Sequence, residues 1–252
     1  MRKLKKIVLV VLGILGLSIP VAGQVENDTT KLFQAMAELQ SMYKDRYIGF
    51  DLKYKYTSEA DPKTVLDSVQ GKMSFYGARY CYQLENMEML SNGTYNVVLF
   101  KDEKLMYVAR ASSLVASIDP VAQVREMIRR SGATGYSLEE NNQEKKLHIH
   151  FVAGGPCRQM DIVVNKKEQR VVEIRYVVKT EMLTQSPETA AGKVDPAYGD
   201  YAVVTASFEH YRALTNDAVA LDEHRYFFKE GEVLKTAPAY REYKIFRGSP
   251  NL

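Results

Sequence analysis

From Tyr47 the chain alternates apolar and polar residues: Ile48, Phe50, Leu52, Tyr54 and Tyr56 fall to one side, Gly49, Asp51, Lys53 and Lys55 to the other. A period of two marks a strand with one face buried and one wet, and it excludes a helix over this stretch. Short apolar runs of the same kind predict further strands over 95–100, 105–110, 147–152, 158–165, 171–178, 201–211 and 223–229. Residues 71–84 read as one long or bulged strand with a break available at Gly77. Turn chemistry separates the runs at Lys101-Asp102-Glu103-Lys104, Gly154-Gly155-Pro156 and Lys166-Lys167-Glu168-Gln169. Asn92-Gly93-Thr94 matches a glycosylation sequon, but the glycine makes it a turn in its own right.

Two segments break the pattern. Leu32, Phe33, Met36, Leu39 and Tyr43 recur at helical spacing after a cap at Asp28 or Thr29. Asp119-Pro120 opens a second helix with apolar face Val121, Val124, Met127 and Ile128, which Gly132 ends. The expected class is α+β, mainly antiparallel β: a curved sheet with two helices covering its concave face. A β-sandwich competes, but it leaves two amphipathic helices with nothing to cover. Residues 181–200, rich in Ser, Thr, Pro and Gly, read as a long surface loop.

Arg2, Lys3, Lys5 and Lys6 precede an apolar run over 7–21, and Val21-Ala22-Gly23 supplies the small residues of a signal-peptidase site. The run is short for a bilayer span and holds Gly13, Gly16 and Pro20, which counts against the alternative of a retained anchor. The expectation is a cleaved signal peptide over 1–23 and one domain over 24–252. The nearest cysteine is Cys81, so no lipidated cysteine follows the cleavage point. Four of the 34 basic residues and none of the 31 acidic ones lie in 1–23, leaving a near-neutral remainder. That balance offers no electrostatic case for nucleic acid. Cys81 and Cys157 both sit in strand segments; a disulfide and two separate buried thiols are both open, since bridging depends on a Cα separation below about 7 Å.

No catalytic pattern emerges. His148 and His150 share one strand face, but it is the polar one, and two ligands fall short of a metal site. There is no Gly-x-Ser-x-Gly elbow, Ser-x-x-Lys motif, P-loop or dinucleotide fingerprint. The expectation is therefore no enzyme, no metal and no cofactor.

Several motifs resemble the outer-membrane lipoprotein carrier (LolA-like) family. Gly71-Lys72-Met73-Ser74-Phe75 is similar to that family's Gly-Lys-apolar strand, and Asp102-Glu103-Lys104-Leu105-Met106-Tyr107 to its Asp-Gly-Lys turn and aromatic strand. Asp119-Pro120 matches the mid-chain helix, and the strand ending Phe208-Glu209-His210-Tyr211 the late strand. Gly77-Ala78-Arg79-Tyr80 stands where Arg-Pro is usual, and Glu103 replaces the turn glycine, which marks a divergent member.

The resemblance implies a half-barrel, a periplasmic setting, and lipid acyl chains or lipoproteins as partners. Phe50, Leu52, Tyr54, Tyr82, Leu99, Tyr107, Phe151, Ile162, Ile174 and Tyr176 are then the candidates for an apolar cleft. An interaction or assembly protein of the cell envelope, with the cleft filled and envelope membrane proteins as partners, is the alternative. A hydrolase is a third.

Overall fold

The computed structural model describes residues 29–41, 43, 46–77, 79–111, 128, 132–185, 196–215, 221–249 and 252. Among the described residues, helix α1 (Thr29–Ser41) precedes fourteen strands. These are β1 (Tyr47–Ser58), β2 (Val65–Tyr76), β3 (Arg79–Leu84), β4 (Met87–Ser91), β5 (Tyr95–Phe100) and β6 (Leu105–Arg110). Then come β7 (Ala133–Glu140), β8 (Glu144–Phe151), β9 (Cys157–Asn165), β10 (Arg170–Lys179) and β11 (Tyr201–Ala213). β12 (Phe227–Glu230), β13 (Val233–Thr236) and β14 (Lys244–Arg247) complete them. Twelve strands form one curved open sheet in the order β14-β6-β5-β4-β3-β2-β1-β11-β10-β9-β8-β7, and β12 and β13 form a separate hairpin.

Two antiparallel meanders are thus spliced side by side. β1 to β6 run consecutively, β7 to β11 likewise, and β11 pairs with β1 from Ile48↔Ala213 to Ser58↔Ala202. A bulge between Gly49 and Asp51 marks that seam. A side chain at Gly49 would meet Leu214 and Arg212 at 3.1 and 3.2 Å, so the glycine lets β11 lie across it. Gly71 has a stronger reason to be bare: a Cβ there would sit 2.2 Å from the Gln83 carbonyl oxygen of β3.

The expected long strand over 71–84 is corrected to two. The chain reverses after Tyr76 with Gly77 at φ +59°, and β3 returns on β2 through pairs from Tyr76↔Arg79 to Gly71↔Leu84. β4, β7, β13 and β14 were not among the expected strands, and the expected strand over 223–229 is corrected to a 3₁₀ turn at Glu223–Arg225 followed by β12. The Asn92 reading holds: its side chain accepts from the Thr94 and Tyr95 amides at 3.0 and 2.9 Å while Gly93 takes φ +88°. Of the expected second helix only Ile128 is described; it is helical and buried, and the rest lies outside the described residues. The 181–200 stretch is not wholly irregular, since 3₁₀ turns occupy Thr180–Gln185 and Pro196–Tyr198; residues 186–195 lie outside the described ones.

Burial divides into two cores. On the face that carries α1, Met36 and Leu39 pack with Phe50, Leu52, Met73, Phe75, Ile149, Met160, Ile162, Ile174 and Phe208. Phe50 centres an aromatic group, with ring centroids 5.0 Å from Tyr211, 5.4 Å from Phe208 and 6.0 Å from Phe75. The second core lies on the opposite face, over β3 to β6. Cys81, Leu90, Val97 and Val108 form one cross-strand row, and Glu88, Leu99 and Met106 the next. Leu221, Tyr226, Phe227 and Leu252 cover these rows, with Tyr240, Tyr243 and Ile245 packed beside them.

One buried carboxylate fastens this cover. Glu88, 5 % exposed, accepts from the Tyr226 hydroxyl at 2.6 Å and lies 3.4 Å from Lys101 Nζ. Tyr240 stacks on Tyr226 at 5.5 Å. Burial pushes the Tyr226 phenol far up, so it stays a donor. Tyr226→Phe leaves the carboxylate short of a partner and is expected to lower stability by about 1–3 kcal/mol in urea unfolding. An unchanged midpoint would show that Lys101 alone satisfies Glu88.

Candidate functional site

The pleat sorts the candidate cleft residues. Phe50 pairs with Met73, Leu52 with Gly71 and Tyr54 with Val69, so β1 and β2 turn these residues to the α1-bearing face. The row continues through Met73↔Tyr82, Tyr82↔Met89, Met89↔Val98 and Val98↔Tyr107 towards one edge. On the other side of the seam the same face carries a different row, from Tyr56↔Val204 through Val204↔Tyr176, Tyr176↔Met160 and Met160↔Ile149. Phe50, Leu52, Phe151, Ile162 and Ile174 are buried in the α1-side core, and Tyr54, Tyr82 and Tyr176 pack against it half-buried. Leu99 is corrected to the opposite face, where it belongs to the second core. Tyr107 lies on the α1 side but is 41 % exposed, with its hydroxyl end against Gly248.

Coverage of this face is uneven. α1 lies over the β7–β8 end, where Glu38 meets Lys145 of β8 at 3.4 Å. Its end is tied down by Tyr43, whose hydroxyl accepts from the Val171 amide at 2.8 Å. The Tyr211 hydroxyl donates to the Val171 carbonyl at 2.7 Å. Away from α1, Tyr54, Tyr56, Tyr82 and Tyr176 gather on the same face, with Tyr54 and Tyr56 stacked at 6.4 Å. Burial, and then the neighbouring Tyr54, Tyr56 and Tyr82 phenols and the Cys157 thiol, hold the Tyr176 phenol well above its ordinary range. Tyr82, Met89, Val98 and Tyr107 continue it as an apolar strip that is only half-buried or exposed.

The opposite face under β7 to β10 is ionic. His148 Nδ1 meets Asp161 Oδ1 at 2.8 Å, and Asp161 also accepts from Gln159 at 3.0 Å and Arg175 at 3.3 Å. His148 Nε2 is buried, 3.4 Å from Glu139 Oε2, too poorly directed for a hydrogen bond. The network braces four strands. The other histidines have other surroundings: His150 is exposed, His210 meets Asp51 at 3.0 Å, and His224 meets Asp222 at 2.7 Å. The Asp222 carboxylate also accepts the His224 amide and caps the turn at Glu223–Arg225.

The disulfide alternative is corrected. Cys81 and Cys157 are free and buried in different cores. Cys81 Sγ lies 3.7 Å from the Tyr226 hydroxyl, and Cys157 donates to the Gln159 carbonyl at 3.3 Å. Strand parity places them apart: Cys81 pairs with Leu90 on the outer row and Cys157 joins the α1 side. Sequence reasoning also missed the second core. Its signal was the run Val97-Val98-Leu99, apolar without alternation, as in a strand buried on both faces.

No family model and no curated protein matches this sequence. Solved structures do match. A LolA superfamily protein from Nitrosomonas europaea has a TM-score of 0.36 at 10 % identity, over 75 % of this chain and 96 % of its own. A conserved protein from Thermus thermophilus has 0.46 at 6 % identity, over 86 % and 99 %. A protein described as an outer-membrane lipoprotein-sorting domain from Vibrio parahaemolyticus has 0.34 at 7 % identity, over 75 % and 95 %. The first is described as a member of the superfamily that the sequence motifs resemble.

Burial pushes the Cys157 thiol up to about 11. A group whose folded pKa is raised stabilises fully below its unfolded value and loses that contribution as pH rises through the folded one. Stability is therefore expected to fall from about pH 9 towards about pH 11. In the native state at pH 8 neither thiol should react with Ellman's reagent, while denaturant should release two. Fast native labelling of either would contradict the burial.

Proposed function

We propose that this chain is an exported, non-enzymatic carrier that binds lipid acyl chains, free or on a lipoprotein, on the α1-bearing face of its sheet. The observation that carries the reading is the continuity of that face. It runs apolar from β8 to β6, is sealed by α1 at one end, and remains half-exposed among the described residues at the Tyr82–Met89–Val98–Tyr107 strip. Acyl chains suit such a surface because each buried methylene contributes about 0.8 kcal/mol without directional bonding. The tyrosines add phenol donors where an ester carbonyl would lie.

The signal-like residues 1–23 and the LolA-like motifs support an export route and a periplasmic setting. No helix among the described residues is long and apolar enough to cross a membrane. A carrier must also release its cargo, and partial burial fits that need. A ligand that replaces contacts already made by half-covered tyrosines gains only the difference, which keeps affinity moderate.

The test is lipid extraction and mass spectrometry of the protein purified from cells, with saturable uptake of a fluorescent fatty acid. Val98→Asp places a charge on the strip at a half-buried position. It is expected to weaken uptake about tenfold or more, since desolvating a carboxylate against an acyl chain is strongly unfavourable. Absence of both co-purified lipid and saturable uptake would defeat the proposal.

A further inference from the structure

Two hollows at the start of β1 share Tyr47, Arg212 and Leu214 in their walls, and the first of them is a groove beside the α1-bearing face. The first, about 420 Å³, lies where the end of β11 and the β9–β10 turn meet Tyr43. The second, about 410 Å³, continues over β2 and β3 to Arg225. The charged wall of the first is Arg46, Arg170 and Arg212 against one carboxylate, Glu168, and the second adds Lys72 and Arg225. In a chain whose acidic and basic residues nearly balance, three cations to one lining carboxylate in the first hollow is a local excess, with Asp51 beside it holding Arg212.

Two of the guanidiniums are held in place. Arg170 lies 4.7 Å over the Tyr211 ring while its Nε donates to Glu168 at 2.7 Å. Arg212 Nη1 donates to Asp51 Oδ1 at 3.1 Å and to the His210 carbonyl at 3.2 Å. The bulge at Gly49 lets Arg212 lie across β1 and face the groove. Arg46 is exposed and has no carboxylate partner among the described residues. Fixed guanidinium forks beside an exposed arginine suit an anion with several acceptor oxygens. A volume of this size lies within the usual range for small ligands.

The geometry points to a phosphate-binding site in this groove, with Arg46, Arg170 and Arg212 as the groups that grip the anion. Tyr43, Tyr211 and Ile48, which line the first hollow, also pack against the α1-side core, so the site opens beside the apolar face. A phosphate-bearing amphiphile would place its headgroup in the groove and its chains on that face. This lipid source rests on the carrier reading; the phosphate site does not.

Titration calorimetry separates the cases, using inorganic phosphate, glycerol 3-phosphate, dihexanoyl phosphatidylglycerol and the neutral dihexanoylglycerol. The phospholipid should bind more tightly than the neutral glyceride. Arg46→Gln, at an exposed position, and Arg170→Gln should each weaken it about tenfold and leave the glyceride unchanged. Added salt should weaken the first and spare the second. If inorganic phosphate or glycerol phosphate binds as tightly as the phospholipid, the source is a soluble phosphate ester. If phosphate compounds bind while the glyceride and fatty acid do not, the carrier reading fails and the site stands. Equal affinity for phospholipid and glyceride, or no effect of either arginine variant, overturns the site.

Discussion

The pairing of β1 with β11 is the contact on which the rest of the molecule depends. Each meander could form from neighbours in sequence, but only this seam makes them one sheet and one apolar face. Its partners lie roughly 150 residues apart, so it carries the largest loop-closure cost in the fold. The aromatic group around Phe50, Phe208 and Tyr211 sits at the seam and offsets that cost through burial. The same seam brings Arg212 beside Arg46 and Arg170, so the cationic groove exists only once the two halves have joined.

The sheet is used on both sides, in different ways. Under β7 to β10 the face opposite α1 is wet and ionic, braced by Asp161 and its partners. Under β3 to β6 it is dry, sealed by the C-terminal segment through Glu88 and Tyr226. That seal has a consequence for the α1 side. Strands stiffened from behind can leave Tyr82, Met89 and Val98 partly uncovered without losing their order.

Much of this was legible in the residues. Alternation over 47–56 placed Phe50, Leu52 and Tyr54 on the correct face, because a one-residue slip would have turned all three outward. The hairpins at 101–104 and 166–169 followed from turn chemistry. What escaped was information that pairing alone supplies. Leu99 looked like a cleft residue because Val97-Val98-Leu99 has no period, and only its pairing with Glu88 and Met106 shows which face it takes. The β2–β3 reversal hid in a single glycine, since Gly77 reads equally as a bulge or a turn. The cationic groove left no local trace, because Arg46, Arg170 and Arg212 come from three distant segments.

Among the described residues, β14 is the only parallel addition to the main sheet, laid along β6 from Lys244↔Leu105 to Arg247↔Val108. Its amides and carbonyls occupy a ladder that would otherwise be open to any extended segment nearby. β14 follows β6 by about 140 residues, so a growing chain presents that ladder bare until β14 has been made. Protection from strand-to-strand misassembly is thus a late event, set by synthesis order as much as by affinity.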